Sequence, residues 1–164
     1  MQPPPLARVV DTTPAQPGLN GVSLRGFAPA RRSHDVVLAE RQRWLAMGAS
    51  SVVAAFFSTS DVDSELFGIE AIRAPAGSAA DHSFHDRAQY ASSDYAWMAG
   101  ATWTAYTVAG ETYSCIGGRS AAAMPNALCE FRDGDIQGTG RGIGFSVQRL
   151  LALTIDSRLQ IEAR

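Results

Sequence analysis

The chain contains no lysine. All fourteen of its basic residues are arginine. Schiff-base chemistry, a phosphate-loop lysine and a lysine general base are therefore excluded. Charge of either sign is scarce, at 18% of residues against a usual share of about 25%. The formal net charge is −2, which leaves no electrostatic footprint for nucleic acid or an anionic membrane surface. No apolar run approaches the length of a membrane span. The N-terminus lacks the basic start and apolar core of a signal peptide. A cytoplasmic protein is the expectation.

Cysteine is nearly absent. Cys115 and Cys129 are the two in the chain, and they form neither a CxxC pair nor a zinc framework. One disulfide can form between them, but a pair of partly buried thiols in a reducing cytoplasm is the expected state. GxSxG is missing, and neither cysteine has a histidine close in sequence, so no nucleophile motif is present. Nothing in the chain calls for a cofactor.

What is present is apolar. Hydrophobic residues make up 46% of 164 positions, enough for one globular domain with a real core. Five of the eight prolines fall in residues 1–20, which reads as an extended tail ahead of a domain starting near Gly21. Residues 35–47 are balanced between two readings. Ser33 or Asp35 as N-cap and Gly48 as stop support a helix, whereas Val36, Val37 and Trp44 favour strand. Strands are predicted at 50–58 and 65–74.

From Tyr95 to Tyr106 the chain alternates with period two and carries aromatics on both faces. A turn at 109–111 and a return strand, TYSCI, follow. Asp133-Gly134 signals a two-residue hairpin, pairing Arg132 with Asp135, Phe131 with Ile136 and Cys129 with Gly138. FSVQRLLALTIDSRLQIEA reads as one long strand or two shorter ones. The predicted fold is mainly β, a mostly antiparallel sheet curled into a barrel or sandwich, with at most one helix, near 35–47.

GTGRGIG spaces Gly138, Gly140, Gly142 and Gly144 by two. A phosphate loop needs a different spacing or a lysine. In a strand the four glycines share one bare face, on which a backbone or an aromatic ring can lie. The opposite face carries Thr139, Arg141, Ile143 and Phe145, and Arg141 points either into a cavity or to solvent.

The densest polar cluster is DHSFHDRAQYASSDYAW, residues 81–97. His82 and His85, spaced i, i+3, would share a helix face and could hold a metal with Asp81 or Asp86. On a strand they point apart, and no zinc motif accompanies them, so no metal site is predicted. The polar part reads as a loop at the rim of a sheet. A histidine beside a carboxylate suits proton transfer near neutral pH, which makes His85 and Asp86 the candidate acid–base groups. Arg87 would orient or neutralise an oxygen. Tyr95, Trp97, Trp103, Tyr106 and Arg141 are the candidate ligand-binding residues.

HDRAQYASSDYAW resembles a motif of the lipocalin-like carotenoid 1,2-hydratase superfamily, a charged run that begins on histidine and closes on Asp-Trp. His85, Asp86 and Arg87 stand near its charged start, Tyr90 in place of its first tryptophan, and Asp94-Tyr95 at its end. The strand with Trp97, Trp103 and Tyr106, the turn at Gly110 and a late glycine-rich strand also fit. The likeness covers residues 80–145, one half of a usual two-half member, and lacks the central Trp-Gly. It implies a lipocalin-like β-barrel or half-barrel that handles isoprenoid, steroid or other lipophilic substrates by hydration or dehydration.

The expected function is thus binding of a small lipophilic molecule, with cofactor-free hydratase, dehydratase, isomerase or cyclase chemistry if the protein is an enzyme. The competing expectation is a non-catalytic protein that forms a homodimer or other oligomer through β-edges.

Overall fold

The computed structural model describes residues 8–11, 18–30, 33–59, 62–93, 99–119 and 124–163. Within these, the side chains of 8–11, 33, 62–64, 87–93 and 99–100 lie outside the described part. Tyr95 and Trp97 lie outside the described residues, as do most of residues 1–17.

The fold is mainly β. Strands β1 (Arg8–Asp11), β2 (Phe27–Pro29), β3 (Ser51–Thr59), β4 (Val62–Arg73), β5 (Ala99–Val108), β6 (Glu111–Arg119), β7 (Pro125–Asp133) and β8 (Ile136–Ile143) build one sheet. Its order is β1-β3-β4-β8-β7-β6-β5, with β2 also pairing β3. Every pairing is antiparallel. Among the described residues no pairing joins β5 to β1 or β2, so the sheet is not closed into a barrel. Helices α1 (Ser33–Ala46), α2 (Ala79–Ser93) and α3 (Val147–Ile161) complete it.

The helix reading of 35–47 is the one realised. Two further helices replace predicted non-helical segments. Residues 79–93 form α2 where a rim loop was predicted, and 147–161 form α3 where strand was predicted. Both have local causes. Ser146 caps α3, its Oγ accepting from the Arg149 amide at 3.2 Å. Leu150, Thr154, Ser157, Arg158 and Ile161 then form a buried stripe at helical spacing. Thr154 and Ser157 satisfy their hydroxyls on the carbonyls of Leu150 and Leu153, so they are buried without an orphaned donor. In α2, Ser78 Oγ accepts from the Asp81 amide at 3.2 Å, and the Asp81 carboxylate accepts from the Gly77 amide at 2.9 Å. Together they satisfy two amide groups at the start of the helix.

The folded part also begins before Gly21. Arg8–Asp11 pairs with β3, and Leu19 is 1% exposed in the core.

The hairpin at Asp133-Gly134 forms one residue later than predicted. Asp133 pairs with Ile136, Phe131 with Gly138 and Cys129 with Gly140. The loop is Gly134-Asp135, with Gly134 at φ +59, a turn with glycine at its first central position. Each partner moves by two, so every side chain keeps its face. At Ala109-Gly110 both residues have positive φ, and Val108 pairs with Glu111 across them.

One face of the sheet, with Val53, Phe57, Phe67, Ile69, Cys115, Cys129 and Phe131, is buried under α3 and residues 19–24. The glycines of β8 make this packing possible, as expected of a bare face. A Cβ on Gly138 would overlap the Phe131 ring, one on Gly140 would overlap Thr154 of α3, and one on Gly142 would meet Phe145 at 2.8 Å. Gly144 instead ends the strand at φ +82. Gly138→Ala is expected to cost about 1–3 kcal/mol through overpacking, read as a lower urea midpoint. The ring of Phe131 is held by Tyr113, at 6.1 Å between centroids, and by the Arg158 guanidinium at 4.9 Å, so it has little room to yield.

Cys115 and Cys129 correct another expectation. They are direct cross-strand partners on β6 and β7, 1% and 0% exposed, and they form a disulfide. They are not a pair of thiols. Antiparallel register brings such partners to the Cα spacing that a disulfide needs.

Candidate functional site

The second face of the sheet carries α1 and α2 and is only partly covered. Trp44, Val52, Ile72, Ala80 and Phe84 form a small core there. Val36, Glu40 and Trp44, four residues apart on α1, present one stripe to the sheet. Facing them are Phe56, Leu66, Gly68 and Glu70 from β3 and β4, and Thr139, Arg141 and Ile143 from β8. Register explains the grouping. Phe56 pairs with Gly68, Gly68 with Arg141, Glu70 with Thr139, and Leu66 with Ile143.

Between α1 and this face lies a cleft of about 400 Å³. Its wall is mostly apolar and aromatic. Trp44 packs on Phe84 of α2, with ring centroids 5.2 Å apart. The Phe56 ring lies across Gly68, where a Cβ would meet it at 2.9 Å, so Gly68 lets that ring lie flat on the sheet. Five large hydrophobic residues are exposed among the described ones, and three of them line this cleft: Val36, Leu66 and Ile143. Apolar exposure so concentrated marks a binding surface more than random scatter.

A few polar groups converge on the same wall. The Trp44 indole N–H donates to Glu70 Oε1 at 2.8 Å. Glu40 is 7% exposed, with Arg43 Nη1 3.7 Å from its Oε1. Thr139 and Arg141 complete the set. An apolar cavity of a few hundred Å³ with a few placed polar groups is the usual form of a small-molecule site.

The candidate residues read from the sequence are spread over the molecule. Arg141 lines the cleft. Trp103 is on the same sheet face, but near the β5 edge, packed on Ile116 and Leu128. Tyr106 is on the opposite face, against the core under α3. His85 and Asp86 are exposed on α2, while their neighbour Phe84 turns inward to the cleft. The side chains of Arg87, Tyr95 and Trp97 lie outside the described residues. The cleft residues that sequence reasoning missed are Glu40, Trp44, Phe56, Glu70 and Phe84. The spacing of 36, 40 and 44 would have found the α1 stripe had the helix reading been preferred.

The rest of the polar cluster has a structural explanation. Asp81 is buried and accepts from Gly77, from Arg132 Nη2 at 3.0 Å and from the Gln137 amide. The Gln137 donor is its side-chain Nε2, which also reaches the Asp81 carbonyl, so Asp81 ties the start of α2 to β7 and β8. The Gly77 amide, more than the nearby Arg132, holds its carboxyl below the usual aspartate range. A depressed folded-state value contributes stability above the ordinary aspartate pKa and loses it as pH falls through the folded one. Asp81→Asn is expected to cost about 1–2 kcal/mol at neutral pH, with the difference from wild type shrinking under acid. Urea unfolding at a series of pH values checks this. His82 and His85 do fall on a helix, but among the described residues no group of three metal-ligating side chains is present.

A second, polar cleft of about 440 Å³ lies at the β7–β8 turn, beside Arg73, Asp133, Asp135 and Glu162. Its charges form an ion network. Arg158, 2% exposed, pairs with Glu111 at 2.9 Å and Glu162 at 3.3 Å, and Arg73 pairs with Asp135 at 2.9 Å. Burial, reinforced by Asp133, pushes the Glu162 carboxyl up, against the pull of Arg158. Arg158, with Asp133 at 3.7 Å, fastens the end of α3 to the hairpin.

Among the described residues no helix is long and apolar enough to cross a membrane. No family model, curated protein or solved structure matches this chain.

Proposed function

We propose that this protein binds a small, largely apolar molecule in the cleft between α1, α2 and the open face of the sheet. The observation that carries this reading is the aromatic wall of Trp44, Phe56 and Phe84 opening through the exposed apolar mouth of Val36, Leu66 and Ile143. It agrees with the lipophilic substrates implied by the resemblance to the carotenoid hydratase superfamily, without needing a closed barrel. Binding rather than turnover is the reading favoured. The expected acid–base pair, His85 and Asp86, is solvent-exposed on α2, and the carboxylates bordering the cleft are Glu40 and Glu70.

Calorimetric titration with decan-1-ol tests it. Saturable binding is expected in the wild type. Val36→Glu places a charge in the apolar mouth at an exposed position that the fold tolerates, and it should weaken binding at least about tenfold, or about 1.4 kcal/mol. Undiminished binding in that variant would place the ligand elsewhere.

A second reading rests on β5. Among the described residues this strand pairs only with β6. Its ten residues, AGATWTAYTV, contain no charge and no proline, the features that usually protect a sheet edge. The occupant proposed for this edge is a second copy of the chain, β5 against β5. Sedimentation should then show a dimer that Thr104→Lys converts to monomer. A wild-type monomer at high concentration would dismiss the idea.

A further inference from the structure

We infer that the ligand of this cleft is an amphipathic carboxylic acid, with its chain against Trp44, Phe56 and Phe84 and its carboxylate on Arg141. This rests on the binding reading above and adds the chemistry of the head group. Among the described residues Arg141 is the one cation of the lining. Among the described residues it has no hydrogen bond and no ion pair. Yet two carboxylates stand diagonal to it across the strands. Glu70 pairs with Thr139 on one side and Glu130 on the other, and diagonal neighbours are within reach of a long side chain. Neither is its partner.

The carboxylates of the lining are engaged instead. Glu70 accepts from Trp44 and Glu40 lies beside Arg43. The group left for an anionic head group to meet is therefore the Arg141 guanidinium, exposed at the rim of an apolar wall. Arginine is suited to this task, because its planar fork can hold a carboxylate by two parallel hydrogen bonds. The rim position lets the head group stay partly hydrated while the chain is buried. At the ~30 Å³ occupied by one water, a cleft of about 400 Å³ holds roughly a dozen heavy atoms, the size of a medium-chain fatty acid.

Three probes with one chain length and different head groups test the inference: decanoate, decan-1-ol and decylamine, each below its micelle concentration. Decanoate is expected to bind at least about tenfold tighter than the other two. Arg141→Gln should abolish that preference, costing decanoate far more affinity than decan-1-ol. Arg141→Lys should restore part of it. Added salt should weaken decanoate binding in the wild type and not in Arg141→Gln. Arg141 is exposed, so these variants keep the fold. Equal affinities for the three probes, or tightest binding of decylamine, would overturn the head-group assignment while alcohol binding upheld the cleft. Failure of all three to bind would overturn both.

Discussion

Trp44→Ala is expected to lower stability by about 3–5 kcal/mol and to abolish ligand binding. Trp44 is 1% exposed and is the largest side chain of the small core between α1, α2 and the sheet. Its ring packs at a tilt against Phe84, and its indole N–H is bonded to Glu70. Truncation therefore removes the main apolar contact holding both helices to this face and deletes one wall of the cleft. Trp44→Phe separates the two roles. It keeps most of the apolar volume and loses the N–H donor, so the stability loss should fall to about 1–3 kcal/mol. Decan-1-ol binding should then survive in weakened form. Urea unfolding and calorimetry on the same samples check both numbers. Equal losses in the two variants would mean that the hydrogen bond, not the packing, carries the contribution of Trp44.

Reduction of Cys115–Cys129 is expected to destabilise the protein by ~3 kcal/mol, since the bridge closes a loop of 14 residues. Both sulfurs are buried between β6 and β7 under Tyr113 and Phe131, so a reductant should act slowly on the native state and quickly on the unfolded one. Alkylation in denaturant without reductant should find no free thiol. Two free thiols would refute the bridge. The bridge spans the centre of the β6–β7 hairpin, so its loss should loosen β5 and β6 first. Amide exchange in residues 99–119 should accelerate before exchange in β3 and β4.

The sequence made much of the sheet legible. Strands β3 to β8 carry strong β-formers and clear turn signals, and the bare glycine face of β8 was readable from spacing alone. α2 and α3 were not. Val147, Thr154 and Ile155 suggest strand, and only the buried stripe Leu150–Thr154–Ser157–Ile161, two of its members polar, reveals the helical period. The disulfide was hidden for a different reason. Cys115 and Cys129 meet because β6 and β7 pair in one register, a long-range fact that composition does not contain.

The candidate site was legible at one residue, Arg141, whose face could be assigned from β8 although its surroundings could not. The cleft itself joins α1 to β3, β4 and β8, and no short window of sequence contains those contacts. His85 and Asp86 drew attention as a pair with suitable chemistry. The helix that carries them turns Phe84 and Asp81 inward and leaves both at the surface.

The most direct test of the cleft is the indole N–H resonance of Trp44, followed by NMR while decanoate is added. The account predicts a saturable shift of the Trp44 signal, with the Trp103 signal, near the far edge of the sheet, unmoved. A Trp44 resonance that stays in place at saturating decanoate, or a shift confined to Trp103, would contradict it.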